Sequence, residues 1–192
     1  MNKNVGISYK ALGLLLAVVL VLGGAIGGTM AWLIDGTDAV ANVFTDSDVD
    51  IEFNETTTNY QMIPGHTINK DPKVTVKANS EACYVFVEIE KSANYDAYLA
   101  QYTVADGWML VDGEDNVYYQ AFDAKINADT ELPVLKDNKV TVLESVTKKQ
   151  MNDIKNDVVD EPTLTFTAYA VQYYKTNNTA FTVSEAWAKA KN

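Results

Sequence analysis

Ala82-Cys83-Tyr84-Val85-Phe86-Val87-Glu88-Ile89-Glu90-Lys91 is the stretch on which the fold turns. Its period is two: Cys83, Val85, Val87 and Ile89 share one face, and Tyr84, Phe86, Glu88 and Glu90 the other. It holds no glycine or proline and is rich in β-branched and aromatic residues, which fit a pleated surface. The spacing predicts a long central strand.

The same alternation recurs outward from it. In Asp48-Val49-Asp50-Ile51-Glu52-Phe53 the apolar side chains point one way and the acids the other, and Lys73-Val74-Thr75-Val76-Lys77 repeats the pattern. Trp108–Val111 and Val117–Gln120 flank Asp112-Gly113-Glu114-Asp115, and because Asp-Gly tolerates positive φ the segment predicts a hairpin. Val140–Val146 and Leu164–Tyr174 are two further strands, the second dense in threonine and aromatics. Lys148–Asn156 and Ser184–Ala190 have helical composition, the latter behind a serine cap. Short strands separated by turns predict an all-β, antiparallel β-sandwich with short helical insertions over residues 48–192.

The N-terminus is of another kind. Lys3 and Lys10 precede an uncharged stretch from Ala11 to Ile34, densest at Leu14–Leu22. A cationic leader before an apolar run is the layout of a secretory signal. Its length would also suit a membrane span, but Gly23, Gly24, Gly27 and Gly28 each cost about 1 kcal/mol of helix relative to alanine. Thr29 and Ala31 supply small residues at the −3 and −1 positions of a cut before Trp32. The expectation is a signal peptide at 1–31, with a retained anchor as the alternative. In residues 32–47, Trp32-Leu33-Ile34 and Ala39-Val40-Ala41-Asn42-Val43-Phe44 form an apolar arm ahead of the first acid-alternating strand. Such an arm can add a strand to a neighbour's sheet or pair within its own domain.

Composition narrows the functions. Fifteen cations, all lysine, stand against 26 acids, for a net charge of −11. Without residues 1–31 the remaining 161 residues carry 13 lysines and all 26 acids, a net −13. Clustered cations for nucleic-acid phosphates are missing, and without arginine there are no bidentate phosphate clamps. One cysteine and one histidine make neither an internal disulfide nor a His/Cys zinc cage.

The order of several short motifs resembles one family. Gly27-Gly28-Thr29-Met30-Ala31, then Asp35, Val43-Phe44-Thr45 and Val49-Asp50-Ile51, are similar to the start of TasA and camelysin, proteins exported through a SipW-type signal peptidase. Ile63-Pro64-Gly65-His66-Thr67-Ile68-Asn69-Lys70-Asp71 resembles that family's Pro-Gly, four residues, Lys-Asp element, carried here by Pro64, Gly65, Lys70 and Asp71. Ala168-Tyr169-Ala170-Val171-Gln172 and the segment holding Ala186-Trp187 are similar to its closing strand and short helix. Residues 92–160 match only loosely. The resemblance implies a jelly-roll-like sandwich, secreted to the extracellular matrix or cell surface of a bacterium. It also implies head-to-tail self-association into biofilm matrix fibres, with Ala39, Val40, Ala41, Val43 and Phe44 as donor strand. Implied partners are a second copy, the signal peptidase and other matrix components, with membrane contact only through the uncleaved leader. The competing readings are a camelysin-type cell-surface metallopeptidase and a membrane-anchored adhesin or ligand-binding sandwich.

No catalytic residues and no cofactor are expected. Asp46, Asp48, Asp50 and Glu52 line one strand face, and calcium takes several oxygens, so the row is a weak calcium candidate against a solvated acidic face. A strand sets carboxylates in a row and does not wrap them round an ion. His66, in the turn after Pro64-Gly65, has no second histidine to work with, and a His-Glu-x-x-His zinc site cannot be built. Cys83 falls on the apolar strand face as a small buried hydrophobe. Trp108, Trp187 and the tyrosines are expected in the core and on sheet faces, with a carbohydrate-stacking platform as the alternative.

Overall fold

The computed structural model describes residues 48–56, 60–176 and 179–191. The leader with Thr29, Ala31 and Trp32, the arm with Ala39–Phe44, and Asp46 lie outside the described residues.

The described chain is mostly strand with few helices. In order come β1 (Ile51–Asn54), β2 (Thr67–Asn69), β3 (Lys73–Val76), β4 (Cys83–Lys91), α1 (Tyr95–Tyr98), β5 (Met109–Leu110), β6 (Val117–Phe122) and β7 (Thr130–Pro133). A single 3-10 turn at Lys136–Asn138 leads into β8 (Lys139–Thr141), α2 (Lys148–Lys155), β9 (Leu164–Gln172), β10 (Tyr174–Thr176), β11 (Thr179–Ala180) and α3 (Val183–Ala190).

Among the described residues every ladder is antiparallel. The larger sheet has the order β5-β6-β4-β9, so the Cys83–Lys91 run is an interior strand. The second sheet is β1-β3-β7, and β2-β8 forms a short ribbon. Cys83, Val85, Val87 and Ile89 of β4 share one core with Val49 and Ile51, Val74 and Val76 of β3, and Leu132 of β7. The two sheets therefore pack face to face. Each fully buried valine or isoleucine contributes about 1.5–3 kcal/mol relative to exposure, which makes this alternation decisive for register.

The other face of β4 is not solvated. Tyr84 and Phe86 pack with Val111, Val117, Val171, Ala186, Trp187 and Ala190, so α3 closes a second, smaller core. The expected serine cap of this helix, Ser184, is two residues late. Thr182 is the N-cap: it accepts from the Glu185 N–H while the Glu185 carboxylate accepts from the Thr182 N–H, a capping box that holds both groups. Thr147 and Gln150 do the same for α2.

Two strands are shorter than expected. β8 ends at Thr141, and the Val140–Val146 run makes one further exchange with the β2 side, Val142 N–H to the His66 carbonyl and Gly65 N–H to the Val142 carbonyl, before Leu143 N–H leaves for the Tyr98 carbonyl and Val146 N–H turns back to the Leu143 carbonyl. In the hairpin β5 has only two residues, and the turn passes through Gly113 at φ 85°.

Candidate functional site

The Pro-Gly and Lys-Asp element builds a clasp. Gly65 sits at φ 77°, a left-handed conformation that glycine adopts without cost, and an added Cβ would come within 3.2 Å of the Glu144 Cγ. The turn is tied by His66 N–H to the Ile63 carbonyl at 3.0 Å and by Gly65 N–H to the Val142 carbonyl at 3.1 Å. His66 itself is exposed. β2 then runs along β8 and delivers Lys70 and Asp71 to the segment leaving β1.

Lys70 Nζ lies 2.6 Å from Glu55 Oε1, with side-chain exposures of only 12% and 6%. The ammonium also faces the rings of Tyr60 and Phe166 at 5.1 and 5.2 Å, and the Tyr60 hydroxyl donates to the same Glu55 oxygen at 2.7 Å. Burial, reinforced by that carboxylate, pushes the Tyr60 hydroxyl pKa up. Asp71 accepts from both the hydroxyl and the backbone N–H of Thr56, and chiefly the hydroxyl bond holds its carboxyl below the usual range. The element thus fastens residues 55–60 to the sandwich. Its chemistry is positional, since both charges are consumed by partners within the chain. Nothing in the spacing of Glu55 and Tyr60 marked them beforehand as the other half of the clasp.

The acidic row keeps its alternation. Asp48, Asp50 and Glu52 are exposed while Val49 and Ile51 are buried. Lys77 pairs with Glu52 and holds its carboxyl low, and the same lysine reaches Asp129 at 3.6 Å. Among the described residues no three carboxylate, histidine or cysteine side chains converge on a common point. Cys83 is fully buried in the inner core, and burial raises its thiol pKa to about 12. Trp108 and Trp187 are buried, each with its indole N–H bonded, to the Pro133 carbonyl and the Glu114 carboxylate respectively. The rings are core components.

Sequence reasoning did not separate the sheet rims, which differ in what they leave unpaired. β5 contributes two residues. The outward groups of β7 fall at Glu131 and Pro133, and proline has no N–H while its carbonyl is taken by Trp108 Nε1 at 2.8 Å. β1 has outward groups only at Ile51 and Phe53, as fixed by the Lys77 N–H bond to the Asp50 carbonyl. β9 is nine residues long and, among the described residues, pairs with β4 alone. Tyr173 N–H to the Ala82 carbonyl and Ser92 N–H to the Thr163 carbonyl set the phase of that ladder. Leu164, Phe166, Ala168, Ala170 and Gln172 consequently aim their N–H and C=O groups away from β4. Among the described residues nothing bonds to them, although Phe166, Ala168 and Ala170 are only 2%, 1% and 8% exposed.

No family model matches this chain, and neither a curated protein nor a solved structure matches it.

Proposed function

We propose that the chain is an exported structural subunit that assembles head to tail into extracellular fibres of a bacterial matrix, with no catalytic role. One observation carries the reading. An uncharged apolar arm, Ala39–Phe44, lies between a signal-type leader ending in Thr29-Met30-Ala31 and a β-rich domain whose core takes up apolar residues from Val49 onward. Strand addition supplies such an arm with main-chain hydrogen bonds and side-chain burial together. Repeated head to tail it does not close on itself, and so builds a filament. The order of motifs shared with TasA and camelysin supports the same reading, and with it a jelly-roll topology and processing by a SipW-type peptidase.

Cleavage after Ala31 is the assembly switch in this proposal. While the leader holds the arm at the membrane, the arm cannot dock into a neighbour. The net −13 of the processed subunit keeps it soluble and opposes early stacking, so acid, salt or divalent cations favour assembly. The test is Ala31→Arg in an exporting bacterial host, examined by fractionation and electron microscopy. The variant is expected to stay with the membrane and form no fibres. Normal fibres from it would sink the proposal. Chelator-sensitive proteolysis that survives purification of the processed chain would favour the peptidase reading instead.

A further inference from the structure

One ion pair among the described residues is unlike the rest. The side chains of Lys70 and Glu55 are 12% and 6% exposed, whereas each of the other pairs leaves one partner at least 45% exposed. Taking two charges out of water is expensive, and apolar side chains of like volume often hold a fold as well or better, so stability alone does not account for the pair. What the site holds is an amine and a carboxyl in contact, faced by the Tyr60 and Phe166 rings. A proton donor stands beside them, because the Tyr60 hydroxyl reaches the same Glu55 oxygen as Lys70 does. Burial raises the pKa of that hydroxyl, so it stays protonated.

We propose that Lys70 and Glu55 condense to an amide, a covalent cross-link between the residue that follows β1 and the residue that follows β2. The step balances within the chain. A proton passes from Nζ to Oε1 across the 2.6 Å contact, leaving a neutral amine and a carboxylic acid, the form that a water-poor site does not penalise. The Nζ lone pair attacks Cδ, one bond beyond Oε1, and as the new bond forms the carbonyl electron pair moves onto Oε2. The Tyr60 hydroxyl gives its proton to Oε1, that C–O bond breaks, and water leaves as the Oε2 pair restores the carbonyl. The tyrosinate then takes the surplus proton from nitrogen. Nothing is oxidised or reduced, and no co-reactant is consumed.

The clasp holds the two reactants together on both sides. Asp71, next to Lys70, accepts from the N–H of Thr56, next to Glu55, at 3.0 Å and from its hydroxyl as well. Two groups fixed in contact react as if at a concentration that free reactants do not reach. Lys73 with Glu131 and Lys77 with Glu52 bring together the same functional groups but stand open to solvent, where both stay ionised and water opposes condensation. The cross-link is independent of fibre assembly. With one cysteine the chain has no internal disulfide, the usual staple of small secreted domains. An amide here closes the loop that carries the Pro64-Gly65 turn and fixes the exit of β1 to the sandwich.

The test is the intact mass of the full chain from a bacterial host, read against the mass its sequence demands from the N-terminus found on the purified protein. The unaltered chain is expected to be lighter by one water, and the two fragments that flank Met62 after cyanogen bromide cleavage are expected to stay joined. Tandem mass spectrometry of the joined fragments locates the bond in the unaltered chain itself, so the result does not hang on a variant folding. Lys70→Arg keeps a cation against Glu55 and offers no amine, and is expected at full mass with the fragments apart. Tyr60→Phe keeps the ring and removes the hydroxyl. In pulse-labelled culture it is expected to lose its water roughly a hundredfold more slowly, the lower end of what a positioned acid contributes. An unaltered chain at full mass, a bond between other residues, or water loss that persists in Lys70→Arg overturns the proposal. Water loss in Tyr60→Phe as fast as in the unaltered chain overturns the part given to the hydroxyl.

Discussion

The two faces of β4 are built from different chemistry and closed by different means. On the inner face Val85, Val87 and Ile89 meet Val74, Val76, Leu132, Val134 and Val142, an aliphatic contact closed by a second sheet. On the outer face Tyr84 and Phe86 meet Tyr119, Tyr173 and Trp187, closed on one side by the eight residues of α3. The rings also carry polar connections outward: Tyr84 hydroxyl to the Phe181 carbonyl at 2.8 Å, Tyr169 hydroxyl to Glu88 at 3.1 Å, and Trp187 indole to Glu114 at 2.7 Å. An isolated helix of this length is marginal in water, so α3 persists because its aromatic face is docked. The inner face decides whether the domain exists, and the outer face decides whether its C-terminus is attached.

The largest effect that tests this division is Val87→Asp. It places a carboxylate at a fully buried position in the hydrophobic inner core. An unpaired buried charge costs several kcal/mol or more, comparable with the roughly 5–15 kcal/mol that hold a whole domain. The expected outcome is loss of cooperative thermal unfolding by far-UV circular dichroism. Trp187→Ala comes next, at about 3–5 kcal/mol for truncating a buried tryptophan. Here the loss should stay in the outer layer. Amides of α3 are expected to exchange freely in native-state hydrogen exchange while those of β4 remain protected. Simultaneous loss of protection in both would show that the two faces form one cooperative unit.

The same contrast explains what could be read beforehand. β1, β3, β4, β6 and β9 follow from period, and α2 and α3 from helical composition, although the caps that start the helices, Thr147 and Thr182, were not the residues read beforehand. The alternation of β4 placed Cys83, Val85, Val87 and Ile89 correctly, but could not reveal that Tyr84 and Phe86 are buried as well. A strand covered on both faces differs from a half-solvated one only in what packs on it, and α3 lies about a hundred residues away. β2, β7, β10 and β11 are two to four residues long, too short to display a period. The clasp was visible by half: Lys70 and Asp71 stand in a recognisable element, whereas Glu55 and Tyr60 join it only through the fold. The β9 rim needed topology, because composition alone does not tell an edge strand from an interior one.

The smallest expected effect is the most specific to the outer layer. Glu185 accepts from Lys175 and from both the hydroxyl and the backbone N–H of Thr182, and chiefly the lysine lowers its carboxyl pKa from 4.5 to about 2. Glu114 is also held low, first by the Trp187 indole and then by Lys191. A carboxyl depressed in the folded state contributes stability that is fully present above its unfolded pKa and is lost as pH falls through the folded value. For Glu185 that window runs from about 4.5 down to about 2. Inner-core aliphatics do not titrate. Acidification through this window should therefore shift Trp187 fluorescence before the far-UV strand signal changes, and Glu185→Gln, which removes the titrating carboxyl, should flatten the whole Glu185 share of that shift, the Lys175 and Thr182 parts together. Both carboxyls are solvent-facing, so salt should reduce the effect, most strongly for the Lys175 partner. If fluorescence and strand signal instead move together through the same pH range, docking of α3 and integrity of the sandwich are a single transition, and the division between the faces of β4 is structural without being energetic.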